Sequence, residues 1–338
     1  MRTKKYQLII VILGAFLLWS GVGLSQDFKN VGHSGANFLQ IPVDAAGAAL
    51  GNSYVALARG VEGLYWNPAA VSYTHGTEVL LSTADWILDT RLSHLGVSRN
   101  LGRWGSVGIG ITAFTMDDME VTTELQSDGT GEFFSAGNFA AGFIYALPLT
   151  DRFSFGMGIK YVHEYIWNTS TSVMAFDFGS VYRTEFYNLR IGMNIANFGG
   201  NMQLSGKAIE QKLNDEQASG EPNNPRLERL SSTYSLPQVF NVGIAFDPYL
   251  TSEHRITVSS TANDPTDNQT RLSFGSEYAF REMFMLRAGY KNGYDQQRFS
   301  MGIGVRFNYA QIESQLDYGF TEFGLLGNMH FFSFRVGF

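Results

Sequence analysis

The stretch Phe299-Ser-Met-Gly-Ile-Gly-Val-Arg-Phe307 decides the fold class, because its large apolar side chains occupy every second position. One face carries five of them, Phe299, Met301, Ile303, Val305 and Phe307. The other face carries only small and charged residues, Ser300, Gly302, Gly304 and Arg306. A period of two is that of a β-strand, whose successive side chains point to opposite faces. The stretch therefore predicts a strand with one strongly apolar face.

The same alternation recurs along the chain from about Thr77 to the C-terminus. Strands in soluble proteins are usually about 5–6 residues long, whereas a tilted strand needs about 9–11 residues to cross a bilayer. Most of the predicted strands have the longer length. They cover residues 77–86, 91–100, 104–115, 135–147, 152–165, 170–183, 188–198, 236–246, 252–261, 270–279, 283–291, 297–307, 309–318 and 328–338.

The connections between the predicted strands alternate in length. They are tight after the even-numbered strands, as at 101–103, and long and polar after several odd-numbered ones, notably 116–134, 199–235 and 319–327. Outer-membrane barrels have short periplasmic turns and longer external loops. We therefore predict an all-β fold in which residues 77–338 form a transmembrane antiparallel β-barrel of about 14 strands.

The N-terminus predicts export. Arg2, Lys4 and Lys5 precede an apolar stretch of about 12 residues that ends in small residues, which is typical of a secretory signal peptide and too short for a spanning helix. We expect residues 1–25 to be removed after Ser25 and the mature chain to reach the outer membrane. The chain has no cysteine, which excludes lipoprotein processing and disulfides.

Composition argues against several functions. Charged residues make up 16% of the chain and the formal net charge is −7, which argues against a nucleic-acid partner. The six histidines show no metal-ligand spacing, and no serine lies in a nucleophile elbow. We therefore predict no metal, no cofactor and no catalytic residue, and we expect outer-membrane lipid to surround the barrel.

Six charged residues are predicted to share the inward face of the barrel. They are Lys160, Arg190, Arg271, Glu277, Arg287 and Arg306. Two roles are open to them: ion pairing with one another and with a plug segment inside the barrel, or the lining of a polar path.

The last predicted strand ends on an aromatic residue. Phe332, Phe334, Val336 and Phe338 share one face, a pattern that looks like the C-terminal signal read by the barrel assembly machinery. The alternative is an ordinary edge strand.

Residues 26–76 show no alternation and are rich in small residues. A short helix is predicted from Asp44, a suitable N-cap, to about Gly51. The inward strand faces are dominated by glycine and serine, so the lumen would stay open unless another segment filled it. We therefore predict that residues 26–76 form a plug, or hatch.

The most distinctive motif of the predicted plug is Tyr65, Trp66, Asn67, Pro68 and Ala69. The Asn67 side chain can bond to backbone groups, and Pro68 fixes its own φ while favouring extended geometry at Asn67. We interpret Asn67, Pro68 and Ala69 as a structural turn, with direct contact to a substrate or cargo as the alternative.

Four segments carry a family resemblance: residues 41–53, 65–70, 145–151 and 235–243. In these segments the chain resembles the PorV/PorQ family, a branch of the FadL-like outer-membrane barrels. The resemblance implies a fourteen-strand FadL-like barrel with an N-terminal hatch, and a role in type IX protein secretion. PorV-like members receive secreted cargo proteins from the translocon and pass them to the surface attachment complex.

Two other functions remain open. FadL-like members are channels for hydrophobic small molecules such as fatty acids or aromatic hydrocarbons, and a scaffold barrel would transport nothing. An apolar cavity beside the plug with an opening in the wall would favour solute uptake. An occluded lumen with an apolar extracellular rim would favour protein handling, for which the polar 199–235 loop would be the natural contact surface.

Overall fold

A computed structural model describes residues 32–206, 210–211, 227–228, 232–294 and 296–338. The predicted signal peptide, residues 1–25, the first residues of the predicted plug and much of the 199–235 loop lie outside the described residues.

Fourteen long strands form the wall, and we number them β1 to β14 in chain order. Their bounds are Thr77–Asp85, Thr90–Asn100, Ser106–Met116, Ala136–Pro148, Phe153–Ile166, Thr169–Arg183, Arg190–Gly199, Val239–Leu250, His254–Pro265, Arg271–Phe280, Phe284–Asn292, Phe299–Tyr309, Ile312–Glu322 and Asn328–Gly337.

The wall is a closed antiparallel barrel. Each strand pairs with its neighbours in sequence, and β1 pairs with β14 from Glu78 opposite Gly337 to Asp85 opposite His330. This confirms the predicted fold class. It also excludes the ordinary edge strand as an interpretation of the C-terminus, because β14 is paired on both sides.

The predicted turn at residues 247–251 was wrong, and the predicted connection 319–327 is shorter than expected, because β13 continues to Glu322. Strand β8 continues to Leu250 through a register shift between Phe246 and Tyr249, and the turn to β9 follows it. Asp247 looked like a turn residue, but its side chain is buried and paired with Arg190 of the neighbouring strand.

The two faces of the wall follow the alternation in the sequence. In β12 the side chains of Met301 and Ile303 are 57% and 53% exposed, whereas Ser300 and Gly302 are buried. Because the outward face would meet lipid and the inward face meets the chain inside the barrel, a strongly apolar outer surface is the expected result.

The remaining elements are short. The helices between residues 32 and 76 are Asn37–Gln40, Ala45–Ala49, Gly60–Glu62, Gly63–Trp66 and Pro68–Tyr73. Single 3-10 turns in the connections cover Ile87–Asp89, Gly102–Trp104, Phe186–Asn188 and Gly324–Leu326. Short strand pairs in the long loops join Met119–Glu120 to Phe133–Phe134, Asn201–Met202 to Tyr234–Ser235, and Glu210–Gln211 to Leu227–Glu228, while Ser205–Gly206 pairs with β6. Within the described ranges, no helix has both the length and the apolar character needed to span a membrane.

Residues 32–76, which we call the inner segment, pack against the inside of the wall. Its helix Ala45–Ala49 begins at the predicted N-cap, where the Asp44 carboxylate accepts a hydrogen bond of 2.7 Å from the Gly47 amide. The chain turns away at Gly51, whose φ of +66° suits glycine. The helix is fully buried against β11 to β14.

Wall glycines make room for the inner segment. A Cβ atom added to Gly289 would lie 2.2 Å from the Gly51 amide nitrogen, and one added to Gly156 would lie 2.4 Å from the Pro68 carbonyl carbon. One added to Gly302 would lie 2.5 Å from the Ala49 Cβ. At these three glycines the inner segment therefore lies directly against the wall.

Candidate functional site

A cavity of about 400 Å³ lies inside the barrel, between the inner segment and the loops at the long-loop end. This volume falls within the range of about 300–1,000 Å³ common for small-molecule sites. Its apolar lining comes from both sides: Phe38, Leu39, Ile41, Pro42, Leu64, Tyr65 and Trp66 from the inner segment, and Trp86, Ile87, Phe323 and Leu326 from the loops. The cavity can therefore hold an apolar molecule.

Tyr65 and Trp66 of the predicted motif line this cavity. Their rings meet edge to face with centroids 4.9 Å apart. The Trp66 indole Nε1 donates to the Asp44 carboxylate, and the Tyr65 hydroxyl donates to the Leu39 carbonyl at 3.2 Å. Both rings are thus held in place by the inner segment itself.

Asn67, Pro68 and Ala69 do not line the cavity. The Asn67 amide donates to the carbonyl oxygens of Val55, at 3.2 Å, and Ser180, at 3.1 Å, and its Oδ1 accepts from the Ala69 amide at 3.1 Å. Asn67 is completely buried, as expected of a group that fastens the inner segment to strand β6. This placement is that of a structural turn.

Asp44 links the helix of the inner segment to the cavity wall. Burial and then the negative charge of Glu62 raise the pKa of its carboxyl group to about 7 from an ordinary 3.8, while the Gly47 amide and Trp66 oppose the shift. Because the folded protein holds this proton more tightly than the unfolded chain, the protonated carboxyl stabilises the fold fully below about pH 3.8, and this stabilisation is lost as the pH rises through about 7.

We therefore expect the wild-type melting temperature to fall between pH 4 and pH 7.5 by more than that of an Asp44→Asn variant, which has no carboxyl group to ionise. Thermal unfolding followed by circular dichroism at several pH values measures the difference. Parallel pH profiles for the two proteins would contradict the assignment.

Five of the six predicted lumen-facing charged residues form ion pairs on the inside of the wall. The pairs are Lys160–Asp177 at 2.8 Å, Arg190–Asp247 at 2.5 Å, Arg287–Glu277 at 2.7 Å and Arg306–Glu313 at 3.5 Å. Arg287 also pairs with Asp317 at 2.5 Å. The sixth residue, Arg271, stacks over the Tyr294 ring at 4.6 Å and lines the cavity.

The sequence analysis did not identify several of the residues that take part in these ion pairs. Asp177 and Asp317 occupy inward positions of their strands, so the alternation could have identified both. Arg335 of β14 reaches Glu62 of the inner segment at 3.3 Å. That contact could not be read from local sequence, because it depends on where the inner segment lies in the barrel.

The four residues of the predicted assembly signal lie at the barrel seam. Phe332 and Phe338 are exposed, and the Phe338 backbone exchanges hydrogen bonds of 2.8 and 2.9 Å with Thr77. Phe334 and Val336 are half-buried. A role for Phe332, Phe334, Val336 and Phe338 in assembly stays a prediction.

Leucines are exposed at the tips of three loops at the long-loop end. Leu88, Leu125 and Leu325 are 88%, 97% and 95% exposed. Leu88 and Leu325 each adjoin a residue that lines the cavity, Ile87 and Leu326, and we call the three exposed leucines the apolar rim. Among the residues that the structure describes, no three potential metal ligands lie together.

Comparisons with known proteins place the fold. No family model and no curated protein sequence matches the chain. Several solved structures match the chain. The CymD monoaromatic hydrocarbon channel has a TM-score of 0.55 and 12% identity over 88% of this chain and 97% of that one.

Two further structures agree with it. The Pseudomonas putida toluene transporter TodX has a TM-score of 0.53 and 12% identity over 92% of this chain and 98% of its own. A Pseudomonas aeruginosa FadL homologue has a TM-score of 0.51 and 12% identity, covering 88% and 98%. At these identities the likeness shows a FadL-like barrel fold, and the PorV/PorQ resemblance remains a prediction.

Proposed function

We propose that the protein is an outer-membrane channel for hydrophobic small molecules. The observation that carries this proposal is the cavity between the inner segment and the loops of a FadL-like barrel, where apolar side chains of both line one part and polar side chains of the wall line the rest. The structural neighbours named as hydrocarbon channels and toluene transporters support the same conclusion. The proposal corresponds to the alternative that the sequence left open beside protein secretion.

The cavity suggests a route for the solute. It would enter past the loop residues Trp86 and Phe323, whose rings are in edge-to-face contact with centroids 4.9 Å apart, and rest on the rings of Tyr65 and Trp66. Removing apolar surface from water favours such binding by about 25 cal/mol per Å². Below the cavity the inner segment closes the straight path, because it is packed against the wall at backbone distances.

A solute that left the cavity through the barrel wall would not have to displace the inner segment. The ladder between β6 and β7 shifts register between Phe176 and Phe178, beside the cavity residues Asp177 and Asn197. Asn197 has a φ of +61°, an uncommon conformation for a residue other than glycine. We propose this irregular part of the wall as the exit.

Filling the cavity tests the channel proposal. Gly142 lines the cavity. A Cβ atom added to it would be 3.4 Å from the nearest atom, the Lys160 Cβ, which is an ordinary van der Waals contact. We expect Gly142→Trp to abolish most of the protein-dependent uptake of radiolabelled toluene by intact cells, because the indole would occupy the solute space. The matched control is Phe143→Trp, whose side chain is on the outer face. Equal uptake by folded Gly142→Trp and control proteins would contradict the proposed route.

The apolar rim favours a second candidate, the handling of secreted proteins in a type IX system. Leu88, Leu125 and Leu325 offer an exposed surface that a solute channel does not require. Affinity isolation from gently solubilised outer membrane tests it. Recovery of translocon subunits or secreted cargo proteins that is lost when the three leucines are replaced by serine would support this role. Recovery of apolar solutes without protein partners would support the channel.

A further inference from the structure

Three asparagines form a row across the inner face of the wall. Asn194 of β7 is opposite Asn241 of β8, and Asn241 is opposite Asn263 of β9. All three line the cavity. Neighbouring strands lie about 4.8 Å apart, so the row is about 10 Å long. This part of the cavity lining is therefore made of neutral amide groups.

The first asparagine of the row lies against the aromatic part of the inner segment. The Asn194 amide donates to the Trp66 carbonyl oxygen at 2.7 Å. The rings of Tyr65 and Trp66 line the same cavity. Asn241 and Asn263 follow at about one and two strand spacings from Asn194, which is about 5 and 10 Å. A ligand whose apolar body lies on the rings would therefore have its other end beside these amides.

The amides of Asn241 and Asn263 bond to each other, and each keeps one polar atom free. The Asn263 amide nitrogen donates to the Asn241 Oδ1 at 2.7 Å. Within the described ranges, neither the Asn241 Nδ2 nor the Asn263 Oδ1 has a hydrogen-bond partner. The pair therefore presents one donor and one acceptor close together. Rotation of both amides by half a turn would reverse the bond and leave the same combination.

Asn194 adds a buried acceptor to the row. The residue is 3% exposed, and its Oδ1 has no hydrogen-bond partner among the described residues. A buried polar atom without a partner costs about 1–3 kcal/mol. The row therefore favours a ligand that brings a hydrogen-bond donor to it.

The charged residues beside the row have other contacts. Lys160 pairs with Asp177 at 2.8 Å, and Arg271, which is opposite Asn263 in the β9–β10 ladder, stacks over the Tyr294 ring at 4.6 Å. The asparagines themselves offer neutral donors and acceptors. A hydroxyl group matches them because it both donates and accepts, whereas a carboxylate only accepts and a hydrocarbon does neither.

We propose that Asn241 and Asn263 bind the hydroxyl group of an aromatic alcohol or phenol whose ring rests on Tyr65 and Trp66. The inference rests on the proposed channel function and narrows its substrate class. The ring of such a solute fills the apolar part of the cavity, and its hydroxyl group meets the free donor and acceptor. A site built to bind a hydroxyl group discriminates against the analogue that lacks it, because the polar groups of the site are then left unpaired.

Benzyl alcohol and ethylbenzene test the hydroxyl contact, because they differ only by a hydroxyl group in place of a methyl group. Each radiolabelled compound is equilibrated with the full chain in lipid nanodiscs, with empty nanodiscs as the blank. The variant carries Asn241→Leu and Asn263→Leu together, which keeps the size of both side chains. We expect it to bind benzyl alcohol about tenfold more weakly than the wild type, as the loss of two neutral hydrogen bonds implies, and to bind ethylbenzene no more weakly.

Asn138→Leu is the matched control. Asn138 is a half-buried asparagine on the same face of β4 as the cavity residues Ala140 and Gly142, but it does not line the cavity. We expect its replacement to leave both affinities at the wild-type values. An unchanged benzyl alcohol affinity in the folded double variant, or an equal loss for both compounds, would overturn the hydroxyl site and leave the channel standing. Failure of the folded wild type to bind either compound would overturn both.

Discussion

Replacing Arg287 by methionine is expected to destabilise the barrel by about 3–5 kcal/mol, the usual cost of removing one partner from a buried ion pair. Arg287 is 5% exposed and bridges Glu277, at 2.7 Å, and Asp317, at 2.5 Å. Glu277 keeps a second partner in Arg255, at 2.9 Å, whereas Asp317 would be left with only the Gln315 amide. The cost therefore comes mainly from an uncompensated charge at Asp317.

Two further variants separate this cause from lost packing. Arg91→Met breaks the Arg91–Asp85 pair, whose side chains are 67% and 72% exposed, and should cost no more than about 1 kcal/mol. Adding Asp317→Leu to Arg287→Met removes the stranded carboxylate and should recover much of the loss. Guanidinium unfolding in lipid vesicles gives the free energies. A double variant as unstable as the sum of the single ones would contradict this account.

Gly289→Ala is expected to destabilise the folded barrel by about 1–3 kcal/mol, as overpacking typically does. The added methyl group would lie 2.2 Å from the Gly51 nitrogen and 2.4 Å from the Leu50 carbonyl carbon, both backbone atoms that cannot rotate away. The inner segment must then shift from the wall. The heat-modifiable mobility of the folded barrel and its melting temperature measure the effect.

Gly142→Ala provides the matched control, because its methyl group would lie 3.4 Å from the nearest atom, the Lys160 Cβ. It should change the stability by much less than Gly289→Ala. If the two variants melted at the same temperature, the close packing of the inner segment against the wall would not be what holds it in the barrel.

The wall could be predicted from the sequence because its signal is local. Alternation in stretches such as Phe299 to Phe307 sets both the strand and its lipid-facing side, and tight polar turns separate most strands. The error at Asp247 had a tertiary cause. Its carboxylate pairs with Arg190 on the neighbouring strand, a contact that no local pattern reports.

The site was less predictable for the same reason. The Tyr65-Trp66 motif stood out in sequence, but its position beside Trp86 and Phe323 depends on how the inner segment sits in the barrel. Arg271 resembled the other inward cations by sequence. It differs from them because no described carboxylate pairs with it, and this difference is seen only in the assembled barrel.

The uptake of a hydrophobic solute by cells that carry or lack the protein tests the channel proposal most directly. Radiolabelled toluene is compared with glycerol, a polar solute small enough to pass through general pores. The account predicts saturable, protein-dependent uptake of toluene and no protein-dependent uptake of glycerol. Toluene uptake at the same rate with and without the folded protein would contradict it.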